Sequence, residues 1–454
     1  TIRFLTQDPG RQSRVLCAEW RMVEMEIEPV SLLKRLIKIN TTNPPGNELR
    51  LLSVLRELLE EKGVACVLQE TAPGRGNLLA WLPADRKPEE PPLVLLSHVD
   101  VVGAQEEQWK FPPFEAQEEN GYIYGRGSVD TKQLTVMELT AFLELAASGK
   151  ARKRDVYFLA TADEESGSAY GIRWFLEHEL TLGGRTFFGK DLFGGSDVIS
   201  EGGGFPILDG DKELYLCESG QKGCGTVEFT VKARKAKGPF FGSGDGMERA
   251  MALVQDIGRQ TLEGRTLGTV RSFEDSLSQA ELSPMMSKIL TAMKKNTMTV
   301  TMIEGKNVNE VKVICDVRLL PGFGRSYLEQ ELSRLEKKWD CCAKILALGE
   351  GYESSPESGF LTLLEDATLE VLGKTREQAQ ILPFVSMGSS DGHFLAEYGA
   401  RVYGYSPVCS WDMTFDTAVS MVHGINERIH KDSVVFGSRV LTLAVERAAG
   451  EERQ

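Results

Sequence analysis

No apolar run in the sequence reaches the roughly 18–20 residues of a membrane-spanning helix, so a membrane is not an expected partner. Basic residues are the minority charge. The 52 Lys and Arg stand against 66 Asp and Glu, a formal net charge of −14. Such a surface repels nucleic-acid phosphates and anionic lipid, and nucleic acid is therefore not expected as a partner either. Paired-cysteine motifs are missing too. The eight cysteines are scattered, only Cys341 and Cys342 lie close in sequence, and no CxxC spacing marks a zinc site. In a chain this long, that pattern suggests reduced thiols in a cytoplasmic protein. The opening segment, TIRFLTQDPGRQSR, carries charges where a secretory signal is apolar. Histidine is scarce: His98, His178, His393, His423 and His430 are all there are.

At 454 residues the chain exceeds the size at which one core stops growing, so two domains are expected. From Ile27 to about Lys62 apolar residues recur at helical spacing, broken by the turn-forming NTTNPPGN. NLLAWLP and PPLVLLSHVDVV read as strands, Thr131 to Ala147 as a helix, and VYFLATAD as another strand. A helix over Tyr170–Leu180 then leads into DVISEGGG. Apolar strands alternating with helices predict an α/β domain around a largely parallel sheet.

After about Ser219 the texture changes. TVEFTVKAR alternates as a half-exposed strand does, Met247 to Thr261 reads as a helix, and VKVICDVRLLPG is again strand-like. A helix over Tyr327–Trp339 follows, and the α/β texture then returns, ending in a helix over Asp432–Ala449. The reading is a smaller α+β domain at 219–339 inserted into a larger one at 1–218 and 340–454.

Chemistry-bearing side chains gather where the predicted strands end. LVLLSHVD ends in His98 and Asp100, YFLATADEE in Glu164 and Glu165, and DVISEGGG supplies Glu201. Asp130 follows the glycine-rich YGRGSVD, where it could also cap the next helix. Open α/β sheets bind ligands at the carboxyl ends of their strands. An unpaired buried charge costs several kcal/mol, which a bound cation would offset. His98 and Asp100, two apart on a strand, point to the same side, so Asp100 can hold one imidazole nitrogen while the other binds metal.

The ordered set LLSHVDVV, WKFPPFEA, IYGRGSVDTK, TADEESGS, VISEGGG, DVRLLPG, SSDGHF and HGINER resembles the metallopeptidase family of aminoacylase, glutamate carboxypeptidase, succinyl-diaminopimelate desuccinylase and carboxypeptidase S type enzymes. The resemblance runs over nearly the whole chain. It implies a two-metal catalytic domain and an inserted lid that also dimerises, so a homodimer is expected. By this resemblance Asp130 bridges the metals, His98 and Glu201 complete one site, and Glu165 and His423 the other. Glu164 is then the general base for hydrolysis of an amide next to a free carboxylate, in a peptide or N-acyl amino acid. Zinc fits such ligands, and manganese or cobalt would accept the same set. His430 is the rival to His423, and His178 reads as a structural or surface histidine.

Two segments depart from the family's pattern. The family's inserted domain usually offers a histidine to the substrate carbonyl, but VKARKAKGPFFGSGDGMERA has none. GKNVNEVKVICDVRLLPG is shortened, which leaves Asn307 an uncertain equivalent of the family's asparagine. Arg318 is a candidate clamp for a substrate carboxylate, or a salt-bridging strand residue. His393 stands where relatives often carry arginine, and Ser389 begins a turn expected to face substrate. Loss of the lid histidine also admits a protein that binds metal and ligand without turnover.

Overall fold

The computed structural model describes residues 25–234, 245–277, 283–307 and 310–451. Its larger part is organised around a mixed sheet of ten strands. Three adjacent strands, Val156–Thr161, Leu93–His98 and Asp197–Ser200, run parallel, with Leu95 beside Phe158 and Ile199. Arg401–Gly404 extends this parallel centre, while Arg75–Leu82 joins antiparallel beside Val156–Thr161. Every residue of the three central strands is buried. That is why they read as near-continuous apolar runs: both faces of the sheet are covered.

Successive side chains divide between those faces. Leu93 and Leu95 enter a core shared with the helices Glu48–Glu61, Lys132–Ala147 and Lys431–Ala449. Val94 and Leu96 pack oppositely, against Ile172, Phe175 and Leu395. Local signals set the helix ends. Glu28 caps Pro29–Ile37 by accepting from the amides of Val30 and Ser31, and proline occupies the first turn. Ser358 caps Gly359–Leu372, which stops at Gly373 in the left-handed region.

The inserted part is a four-stranded antiparallel sheet with the helices Gly246–Arg259 and Arg325–Trp339 packed on its inner face. Its strands Gly223–Lys232 and Glu310–Leu319 alternate buried and half-buried residues, as expected with one face covered. The strand Cys342–Leu348 belongs to this sheet, pairing with Gly223–Lys232, although the sequence reading places it in the larger domain from residue 340. The reason is packing: Cys341, Ala343 and Ile345 lie against the small core. The chain recrosses afterwards, and Tyr352–Glu353 pairs with Gly220–Gln221 of the large sheet. The two crossings touch backbone to backbone. A Cβ on Gly223 would stand 2.6 Å from the Gly349 carbonyl, so the close approach requires glycine there.

Two further departures from the sequence reading are local. The helix expected over Tyr170–Leu180 covers only Ile172–Glu177. His178 turns extended, and a hairpin of Glu179–Leu182 and Arg185–Phe188 follows, turned by Gly183 and Gly184, both at positive φ. The helices Gly268–Ser276 and Pro284–Ala292 lie within the inserted segment yet pack on the flank of the large sheet. There Val270, Phe273 and Met286 meet Leu214, Leu216 and Phe384. Among the described residues no helix is long and apolar enough to cross a membrane. The seven described cysteines are free thiols.

Candidate metal centre

The parallel centre of the sheet brings three strand ends to one place. His98 is the last residue of Leu93–His98, Glu201 follows Asp197–Ser200, and Glu164 and Glu165 follow Val156–Thr161. Asp130 reaches the same place from the turn before Lys132–Ala147, and His423 from the loop after Phe415–Met421. His98 Nε2 lies 3.2 Å from Asp130 Oδ1 and 3.5 Å from Glu201 Oε2. His423 Nε2 lies 3.2 Å from Asp130 Oδ2 and 3.1 Å from Glu165 Oε2. Asp130 thus presents one oxygen to each imidazole. Glu164 stands off, 4.0 Å from His98 Nε2.

Electrostatically the cluster lacks positive charge. Burial alone would lower the His98 imidazole, but Glu201, Asp100 and Asp130 raise it well above its usual range. Asp130 and Glu165 raise His423 to about 10. Burial, with Glu201 close by, pushes the Glu164 carboxyl well up, and burial raises Glu201 as well. Glu165 Oε1 is buried with no hydrogen-bond partner among the described residues. Two triads, His98–Asp130–Glu201 and Asp130–Glu165–His423, each hold three ligand atoms within 4.8 Å of one another, and His98–Glu164–Glu165 does the same. Carboxylates in excess around imidazoles, one carrying an unpartnered buried oxygen, fit a divalent cation.

Asp100 lies behind the cluster, just past the strand's end, and its backbone carbonyl, 3.0 Å from His98 Nδ1, meets the imidazole more closely than its carboxylate does. Fully buried, it lies 3.4 Å from His98 Nδ1 and accepts from the amides of Glu164 and Glu165, at 3.1 Å each. Those amides reach it because Asp163 holds φ +67°, turning the chain sharply after the strand. Asn43 donates to both Asp100 and Asp163, and Arg75 bridges Asp163 to buried Glu48.

Sequence reasoning missed the group that fixes Asp130. Buried Glu427 accepts from Arg126 at 2.7 Å and from the amides of Gly127, Val129 and Asp130. Arg126 in turn donates to the carbonyl of Gly424. The pair therefore ties the Asp130 turn to the His423 loop. Both residues stand inside HGINER and YGRGSVD, whose neighbours drew the attention. Asp391, in SSDGHF, is another omission: it accepts from Thr161 and Ser168, and burial raises it to about 7.

The remaining candidates separate. His430 caps Lys431–Ala449, with Tyr122 and Trp411 edge-on to its ring, away from the cluster. His178 stacks on Trp174 and bonds its carbonyl. Ser389 and His393 line the cleft beside Glu164, Glu165 and His423. His393 Nδ1 is 2.6 Å from the Ser390 carbonyl, which can only accept, so the proton sits on Nδ1 and Nε2 is an acceptor. Arg318 is engaged within the chain, with Asp316, Cys224 and the Met387 carbonyl. The Asn307 side chain and residues 235–244 lie outside the described residues. Trp109 packs under the Arg126 guanidinium, and Phe111 against Tyr124, as ordinary loop packing would have it.

Known proteins resemble this chain in sequence and in fold. N-fatty-acyl-amino acid synthase/hydrolase PM20D1 of Xenopus tropicalis is 24% identical over 371 residues, 76% of this chain and 70% of that protein. Aminoacylase-1 of Mus musculus is 32% identical over 156 residues, covering 34% of this chain and 38% of its own length. Among solved structures, an M20 family metallo-carboxypeptidase, Sso-CP2, from Sulfolobus solfataricus superposes with a TM-score of 0.68. That match has 19% identity and covers 92% of this chain and 99% of that one. Human carnosine dipeptidase 1 superposes at 0.63, with 15% identity and coverage of 95% and 98%. The model of peptidase family M20/M25/M40 matches residues 94–447, and the chain belongs to that family of hydrolases.

Proposed function

We propose that this protein hydrolyses an amide bond next to a free carboxylate, in a peptide or an N-acyl amino acid, using a pair of divalent metals. The observation that carries the reading is the placement of Asp130, with one carboxylate oxygen toward His98 and the other toward His423. His98, Asp130 and Glu201 would hold one ion, and Asp130, Glu165 and His423 the second, with zinc the first choice and manganese or cobalt alternatives. Bound there, the ions would polarise the scissile carbonyl and lower the pKa of the attacking water.

The chain supplies the rest. Glu164, neighbour to a ligand and 4.0 Å from His98 Nε2, is the general base: it takes the water's proton as oxygen adds to the carbonyl carbon. It then returns that proton to the departing nitrogen as the C–N bond breaks. Asp100 keeps Glu164 and Glu165 aimed through their amides. The names of the relatives favour both arms of the substrate class, acyl amino acids and short peptides. The same reading places the enzyme in the cytoplasm as a homodimer, which solution mass would check.

The test joins elemental analysis with a panel of dipeptides and N-acyl amino acids, before and after chelation. About two metals per chain and chelator-sensitive turnover are expected. Failure to bind zinc, manganese or cobalt would sink the ligand assignment. Metals without turnover would favour a binding protein, the reading that the absent lid histidine keeps in play.

A further inference from the structure

Two chambers open from the acidic cluster. Asp130, Glu201, Gly388 and Val422 line both, so the cavities are continuous across the candidate metal centre. One chamber is the more polar of the two, with Ser389, Ser390 and His393 in its wall as well as the cluster acids. The other, of about 370 Å³, is walled by Phe205, Ile289, Phe384, Phe415, Val419 and Val422. Phe384 and Phe415 are fixed edge to face with centroids 5.9 Å apart and are nearly fully buried. Val419 and Val422 instead leave 41% and 37% of their surface open. Ile289 comes from Pro284–Ala292, a helix of the inserted segment that packs on the large sheet and closes this side of the chamber.

We propose that this apolar chamber is an acyl pocket that selects substrates carrying an extended aliphatic acyl chain. The inference rests on the amide-hydrolysis reading and adds the acyl class to it. The free carboxylate of the substrate needs polar partners, and the more polar chamber of Ser389, Ser390 and His393 suits it better than the mainly apolar one, where Gln133, Ser386 and Ser406 are the polar exceptions. The acyl half then lies along the aromatic and aliphatic walls on the other side of the cluster. Open apolar side chains in a cavity contiguous with reactive groups have a chain to cover them once substrate binds.

Each methylene buried is worth about 0.8 kcal/mol, about a fourfold gain. In a series of N-acetyl-, N-butanoyl-, N-hexanoyl- and N-octanoylglycine, kcat/KM is expected to climb about fourfold per methylene until the chamber is full. Changing the amino-acid side instead, from N-acetylglycine to N-acetylphenylalanine, gives no comparable climb. Calorimetric binding of the same series to metal-loaded E164Q protein separates the two readings, since it needs no turnover. Tightening with chain length there supports the pocket even if no amide is hydrolysed, and a flat series overturns it even in an active enzyme.

Val419→Asp and Ile289→Asp, from two different helices, are both expected to flatten the chain-length slope, with the thermal midpoint showing that each variant is folded. A slope that survives both charges, or that follows the amino-acid side chain rather than the acyl chain, overturns the assignment.

Discussion

The two sides of the cleft are built on different principles. On the large-sheet side three of the cluster acids are anchored by backbone that is itself held: Glu164 and Glu165 through Asp100, and Asp130 through Glu427. On the inserted side the main cationic candidate, Arg318, is spent on Asp316, Cys224 and Met387, and no histidine occurs between residues 219 and 339. Among the described residues the candidate ligands thus lie on one side, while the other lines the apolar chamber through Ile289. A reacting constellation tolerates little displacement, which suits groups whose own backbone is hydrogen-bonded to buried carboxylates. Enclosure tolerates more and can vary.

The largest expected effect comes from breaking the chemical side at its proposed general base. Glu164→Gln keeps the shape and removes the proposed base, so kcat should fall by about 10²–10⁴ while bound metal stays constant. Equal losses in turnover and metal content would instead make Glu164 a ligand. Glu427→Ala attacks the tethering itself. It leaves Arg126 buried and uncompensated and strands three amides, so a loss of about 3–5 kcal/mol is expected in denaturant unfolding. A change below about 1 kcal/mol would show that the Asp130 turn holds without it. Asp100→Asn is milder. The side chain still fits but no longer suits both the imidazole and the Glu164 and Glu165 amides, and metal affinity should drop about 10–100-fold in competition titration.

The same contrast explains what the sequence made legible. The strand-end residues could be read because LVLLSHVD and VYFLATAD are unbroken apolar runs ending in charge, a pattern that a covered parallel sheet imposes. Glu427 could not, because a carboxylate that binds backbone amides from a distant turn leaves no periodic trace. Its partner Arg126 is 301 residues away in sequence. The hairpin after His178 was hidden by apolar residues at a spacing that also suits a helix, although Gly183-Gly184 marked its turn. The fate of Cys342–Leu348 turned on which of two cores its alternate residues would meet, and only tertiary packing decides that.

The smallest effect tests whether tethering strength follows burial. Glu118 is the half-buried counterpart of Glu427, joining Lys34 of the first described helix and Lys431 at the start of the last. Lys34 first, then Lys431, hold its carboxyl down to about 2, against about 4.5 when free. A folded-state value below the unfolded one means the stabilisation is complete above about pH 5 and fades as pH falls toward 2. Because the side chains are about a third exposed, solvent screening limits it to about 1 kcal/mol. Glu118→Gln should therefore cost up to that amount at pH 7, less in high salt, and nothing at pH 2, as measured by urea unfolding at each pH. A penalty at pH 7 as large as that of Glu427→Ala would break the link between burial and tethering strength. One that persisted unchanged at pH 2 would show that the residue acts through packing rather than charge.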